Sequence, residues 1–159
     1  MTQRILSLAL AALTLGVSPL AFAADDVLSV AGKKPELSTF VRLVQQAGLS
    51  SAVNAAGVTV FAPTDEAFKA VPADTLDKLA KDPEQLKAVL SYHVLPSKLQ
   101  SSAIDGSTSI ATLNGAKVNV SKAGDMVVVD DSLVTVADIA ADNGVIHEID
   151  RVLLPAVKK

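Results

Sequence analysis

Apolar positions along the chain change their spacing once, near residue 105. In "KPELSTFVRLVQQAGL" (34–49), Leu37, Phe40, Val41, Val44 and Ala47 recur at helical intervals, and Gly48 stands as a C-terminal stop. Residues 25–32 predict a short helix or arm, and "LSSAVN" (49–54) one further turn. "VTVFAP" (58–63) is a brief apolar run rich in β-branched and aromatic residues, closed by Pro63, and predicts a buried strand. "TDEAFKAV" (64–71) opens a helix that Thr64 can cap, with Asp65 and Glu66 suited to the positive end of its dipole. "ADTLDKLAKD" (73–82) predicts another. "DPEQLKAVLSYH" (82–93) has Asp82 as N-cap, Pro83 at the first helical position, Gln85 where a capping box wants it, and Pro96 beyond its exit.

After residue 105 the spacing becomes that of strands. "TSIATLNGAKVNV" (108–120) places two β-prone runs around Asn114-Gly115, a hairpin signal. "MVVVDD" (126–131), "SLVTVADI" (132–139) and "VIHEIDRVLLP" (145–155) predict further strands. Helices first and strands afterwards, around one early strand, argue an α+β fold rather than alternating α/β.

The first 23 residues stand apart from this pattern. "MTQR" carries one Arg, an interrupted apolar stretch follows, and Ala21, Phe22 and Ala23 form an A-x-A cut site. That order is that of a secretory signal peptide, and the stretch is too short and too interrupted for a membrane span of ~20 apolar residues. Cleavage after Ala23 would leave 136 residues, 24–159, the length of one domain, exported to the periplasm or the exterior. The chain has no Cys, so its core must hold without disulfides, and thiol chemistry is excluded. Removing Arg4 with the leader leaves 13 basic residues against 17 acidic. No basic stripe marks a nucleic-acid partner, and membrane contact is at most peripheral. A monomer is expected.

Three segments together resemble the fasciclin (FAS1) family. "TVFAPTDEAF" (59–68) is similar to its first signature segment, Tyr92-His93 to its central Tyr-His motif, and "NGVIHEIDRVLLP" (143–155) to its closing segment, in matching order and spacing. The resemblance implies a wedge of β-strands with a helical layer packed on it, in a single fasciclin domain over 24–159. It also implies a role in adhesion to cell-surface or extracellular-matrix partners.

The candidate chemistry is sparse. Leu86, Val89, Leu90 and His93 share one helix face, which in an amphipathic helix is the buried one. A buried imidazole needs hydrogen-bond partners, and Asp65 or the backbone of residues 63–66 is the candidate. Tyr92, one residue off that stripe, is expected at the core edge with its hydroxyl toward water or a backbone group. His147 falls in a strand with mixed faces, which suits a sheet edge or a position under a loop. In animal fasciclin domains the Tyr-His region is associated with adhesion, and an Asp-Ile pair before the closing segment with integrin recognition. The resemblance carries these to Tyr92, His93, Asp138 and Ile139. By pattern alone, Asp138-Ile139 is a strand end before an Asn143-Gly144 turn.

No G-x-S-x-G elbow accompanies the Ser, His and Asp residues, so no hydrolase is read. Two His 54 positions apart do not make a zinc site, and adjacent Asp130 and Asp131 lack the spaced ligands of a calcium loop. No cofactor is expected. Phe40, Phe61 and Phe68 fall on apolar faces, leaving Tyr92 as the one aromatic candidate for stacking a ligand. Two functions remain: a non-enzymatic adhesion or interaction module, and a carrier holding a small apolar ligand between helices and sheet.

Overall fold

A computed structural model of the chain describes residues 25–155, so the expected leader over 1–23 and the start at Ala24 lie outside the described residues. The helices are α1 (Val27–Gly32), α2 (Ser38–Gln46), α3 (Ser50–Val53), α4 (Asp65–Lys69), α5 (Ala73–Lys81) and α6 (Pro83–Tyr92), with 3-10 turns at Pro35–Leu37 and Ser101–Ala103. Three of the six helix starts are set by a side chain at their own N-cap. Asp26 accepts from the Ser29 amide, Thr64 from that of Ala67, and Asp82 from those of Glu84 and Gln85. The Asp82 amide bonds the Lys78 carbonyl of the preceding helix, so the reciprocal half of the expected capping box is taken by α5.

The strands are β1 (Val58–Pro63), β2 (Val94–Leu95), β3 (Ser107–Ala111), β4 (Lys117–Ala123), β5 (Met126–Val129), β6 (Ser132–Ala140) and β7 (Gly144–Ile149). They form one mixed sheet in the order β2-β1-β7-β6-β5-β4-β3. The Asn114-Gly115 hairpin joins β3 to β4 as its sequence predicts. All neighbours run antiparallel except β1 and β7, which are parallel and in register from Val58↔Gly144 to Pro63↔Ile149. The Leu113 amide reaches the Val94 carbonyl at 2.9 Å, so the sheet nearly closes on itself. The fold is thus the α+β wedge with a helical layer that the sequence implied.

β1 and β7 are buried along their whole length because apolar clusters lie on both of their faces. On one face Val58, Val60, Ala62 and Ile146 meet Phe40, Val44, Leu86 and Leu90 of the helices. On the other, Phe61 and Ile149 join Tyr92, Leu95, Val118, Val120, Val127 and Val129 inside the curled sheet. Gly144 permits the parallel pairing, since a Cβ there would stand 2.1 Å from the Val58 carbonyl oxygen. Asn143 secures the same corner. Its carbonyl accepts from the amides of Gly57 and Val58, and its side-chain oxygen from that of Val27.

Candidate interaction surface

His93 sits where the three recognised segments converge. It caps the C-terminus of α6 and is completely buried. Its own amide turns to the Leu90 carbonyl, and its ring Nδ1 takes up the Val89 carbonyl at 2.7 Å. A carbonyl can only accept, so Nδ1 carries the proton and Nε2 is the acceptor, here of the Leu153 amide at 2.9 Å. The His93 carbonyl accepts from Phe61 of β1 at 2.8 Å. One residue therefore ties α6 to β1 and to the closing segment. Burial pushes its pKa down to about 4, against the opposing pull of the Val89 carbonyl.

The partner expected for His93 in residues 63–66 is not the one used. Asp65 instead faces the start of α2, accepting from the Thr39 amide at 3.0 Å and the Ser38 hydroxyl at 3.0 Å. Partial desolvation opposes ionisation there, but these bonds outweigh it and hold the carboxyl below its ordinary range. Asp65 lies in the first turn of its own helix and reaches a second helix start 26 residues away, which sequence spacing gives no way to foresee.

Tyr92 points to the opposite side, into the curled sheet, and is 7% exposed. Its hydroxyl donates to the Asp130 carboxylate at 2.7 Å. Desolvation first, then this carboxylate, raise the phenol to about 12. Asp130 starts the two-residue turn between β5 and β6 with φ of 51°, in the left-handed region that Asp tolerates better than most residues. Its second oxygen accepts from the Asn119 amide at 2.9 Å. The adjacent acids of "VVVDDS" thus divide: Asp130 anchors the turn, and Asp131 is exposed. Above the tyrosine lies an open cleft of about 570 Å³ whose rim includes Asn119, Asp131, Arg151 and Leu154.

Asp138 lies in the irregular middle of β6, where the register with β7 shifts between Val136 and Ile139. Its φ is 57°. The residue is exposed, but its carboxylate is engaged, accepting from the Ser101 amide at 2.7 Å and from the Ser101 hydroxyl. Partial desolvation is outweighed by these bonds and by His147 and Lys122, so the carboxyl titrates below its ordinary range. Ile139 is half-buried against the helix-side core. The surface apolar neighbour of Asp138 along the strand is Val136, 42% exposed, which the sequence reading passed over.

His147 is not at a sheet edge. It lies in β7, third of seven strands, stacked on Phe61 at a centroid distance of 5.6 Å and 1% exposed. It does lie under a loop: its Nε2 donates to the Leu99 carbonyl at 2.7 Å, and its Nδ1 accepts from the Asp138 amide at 3.2 Å. Burial lowers its pKa despite the Leu99 carbonyl and Asp138. Ser101, His147 and Asp138 are therefore neighbours, yet they are not wired as a catalytic triad. The serine bonds the carboxylate, and both imidazole nitrogens are occupied by backbone groups. Among the described residues no three His, Cys, Asp or Glu side chains come together as a metal cluster.

A second concavity, an open groove of about 750 Å³, runs between α5, α6 and the β3–β4 turn. Its wall is largely apolar, from Leu79, Ala88, Val89, Ala116, Leu154 and Pro155. The helical pattern of Leu79 and Val89 marks them as apolar, but only the fold brings them beside Ala116 and Leu154.

A wedge in which the first segment, the Tyr-His pair and the closing segment meet defines a fasciclin domain, and the family model for that domain matches residues 35–155. The chain belongs to the fasciclin family. It is 40% identical over 134 residues to the transforming growth factor-beta-induced protein ig-h3 of Sus scrofa, covering 84% of this chain and 20% of that one. It is 38% identical over 135 residues to protein sll1483 of Synechocystis sp., covering 83% and 74%. It is 35% identical over 138 residues to the cell surface glycolipoprotein MPB83 of Mycobacterium bovis, covering 84% and 62%. Among solved structures, the FAS1 domain pair of the insect cell adhesion molecule fasciclin I superposes with a TM-score of 0.60 at 23% identity, over 76% of this chain and 46% of that one. The chain thus spans about a fifth of ig-h3 and less than half of the insect pair.

Proposed function

We propose that this domain is an exported, non-enzymatic adhesion or interaction module that binds a cell-surface or matrix component. Fasciclin domains are in general binding modules without catalysis. The carrying observation is the wiring of the polar clusters. Each buried His and each motif Asp spends its hydrogen bonds on backbone or neighbouring side chains, which rigidifies the scaffold and leaves no nucleophile paired with a base among the described residues. Export is supported by the leader pattern of residues 1–23 and by relatives that include a cell surface glycolipoprotein.

The contact residues we infer are Asp138, Ile139 and Tyr92. Asp138 supplies an exposed carboxylate held in one orientation by Ser101, Ile139 beside it packs inward and fixes the strand there, and Tyr92 floors a separate cleft at the other end of β6. Contacts this small bind weakly on their own, because stable pairs bury above ~1,000 Å². Dense display compensates through avidity. The test is adhesion of cells or matrix to surfaces coated with the domain, compared with the Asp138→Ala/Ile139→Ala double variant. Reduced adhesion by the folded variant is expected, and equal adhesion removes this site.

A second reading has its own observation. The apolar groove beside α5 and α6 suits a small apolar ligand lying between helices and sheet. Native mass spectrometry of protein purified from its host should find a retained ligand if the domain is a carrier, and extraction with organic solvent should release it.

A further inference from the structure

The β3 strand ends the sheet, and nothing among the described residues covers it. It pairs with β4 alone, in an unbroken antiparallel register from Ser107↔Ser121 to Ala111↔Lys117. Two bonds fix which backbone groups point which way. Lys122 donates to the Gly106 carbonyl at 2.7 Å and Thr112 to the Ala116 carbonyl at 2.8 Å, so the even-numbered residues face β4. Ser107, Ser109 and Ala111 therefore turn their N–H and C=O groups to the free side. The next odd residue, Leu113, bonds outward to Val94 of β2, which shows the same phase and marks where the closing of the sheet ends.

Exposed edges are normally blunted with lysine, proline, a bulge or a covering element. β3 has none of these. Its sequence, Ser-Thr-Ser-Ile-Ala, is uncharged, and Ser107, Thr108, Ser109 and Ala111 are exposed. We propose that this edge pairs with the β3 edge of a second copy of the chain, antiparallel about a two-fold axis at Ser109. In that register Ser109 faces Ser109 of the other copy, and Ser107 faces Ala111, all three as hydrogen-bonded pairs with small side chains. The charges favour this direction. Asp105 precedes the strand and Lys117 lies beside its far end, while Lys122, beside Gly106, turns its ammonium to the Ser101 carbonyl, so antiparallel pairing sets Asp105 of one strand toward the Lys117 end of the other. Parallel pairing would set Asp105 against Asp105.

A ribbon five residues long lies well below the ~1,000 Å² of a stable complex, so copies remain monomers in dilute solution and associate when densely displayed. The adhesion reading gives this pairing a use. The pairing itself stands on the strand register and is tested without any cell or matrix component, so either idea can fail alone.

The chain has no Cys, which makes cross-linking clean. Hydrogen-bonded antiparallel partners have Cα atoms about 5.5 Å apart, within disulfide range. Under mild oxidation Ser109→Cys should form covalent dimer about tenfold faster than Ser51→Cys, placed on the exposed face of α3. Equal rates overturn the proposal. Beads coated densely with the wild-type protein should cluster, and Ser109→Lys, which sets two like charges on the axis, should abolish the clustering while keeping the melting temperature. Clustering retained by Ser109→Lys also overturns it.

Discussion

Replacing His93 by Phe separates its hydrogen bonds from its volume. Phe fills most of the same space, but the Val89 carbonyl and the Leu153 amide then lose their only ring partner in a fully buried site. Leaving two such groups unpaired costs roughly 2–4 kcal/mol. His93→Ala adds a cavity and should cost about 1–2 kcal/mol more. The pH dependence gives a second reading of the same contact. Protonating the ring puts a proton on Nε2, facing the Leu153 N–H, and so breaks that bond. With a folded pKa of about 4 against 6.5 unfolded, the unfolded chain binds more protons between those values, and stability falls as pH drops through that window. From pH 7 to pH 5 the wild type should lose about 2 kcal/mol through this one group. His93→Phe cannot titrate there, so the gap between the two proteins should narrow by that amount. Urea unfolding followed by far-ultraviolet circular dichroism at both pH values measures it. A His93→Phe midpoint equal to wild type, or a gap unchanged at pH 5, would refute the wiring described here.

Three other outcomes are expected. The single tyrosine should ionise near pH 12 in the folded protein and near 10 in urea, read by phenolate absorbance, and stability should fall as pH rises between those values. Gly144→Ala should lower stability by at least 1–3 kcal/mol (about the cost of overpacking a core) by pushing a methyl into the Val58 carbonyl, whereas Gly32→Ala, with open space around its Cβ, should not. Lys34→Met should cost roughly 3–5 kcal/mol, because it strands the buried Glu148 carboxylate that Lys34 meets at 2.7 Å; thermal unfolding of the double variant with Glu148→Gln should recover part of the loss.

What local chemistry can specify is legible in the chain alone. Helix starts are written in Thr64 and Asp82, the hairpin in Asn114-Gly115, and the change of apolar spacing near residue 105 separates the helical half from the strands. The burial of His93 was legible for the same reason, since its place on the Leu86-Val89-Leu90 stripe depends only on helical period. Contacts between segments far apart in the chain depend instead on how the elements pack. The parallel pairing of β1 with β7 sets Phe61 beside His147, so a strand whose mixed faces suited an edge or a place under a loop is a central one, buried on both sides, with the loop at Leu99 over its histidine. Asp65 went to α2 rather than to His93, and Leu153, 60 residues on, supplied the donor for the imidazole. Ser101 found Asp138, while Ile139 turned inward because the bulge in β6 reverses the alternation that a regular strand would impose. Periodicity records which face a side chain takes within its own element; which atoms await it there depends on how the elements are stacked.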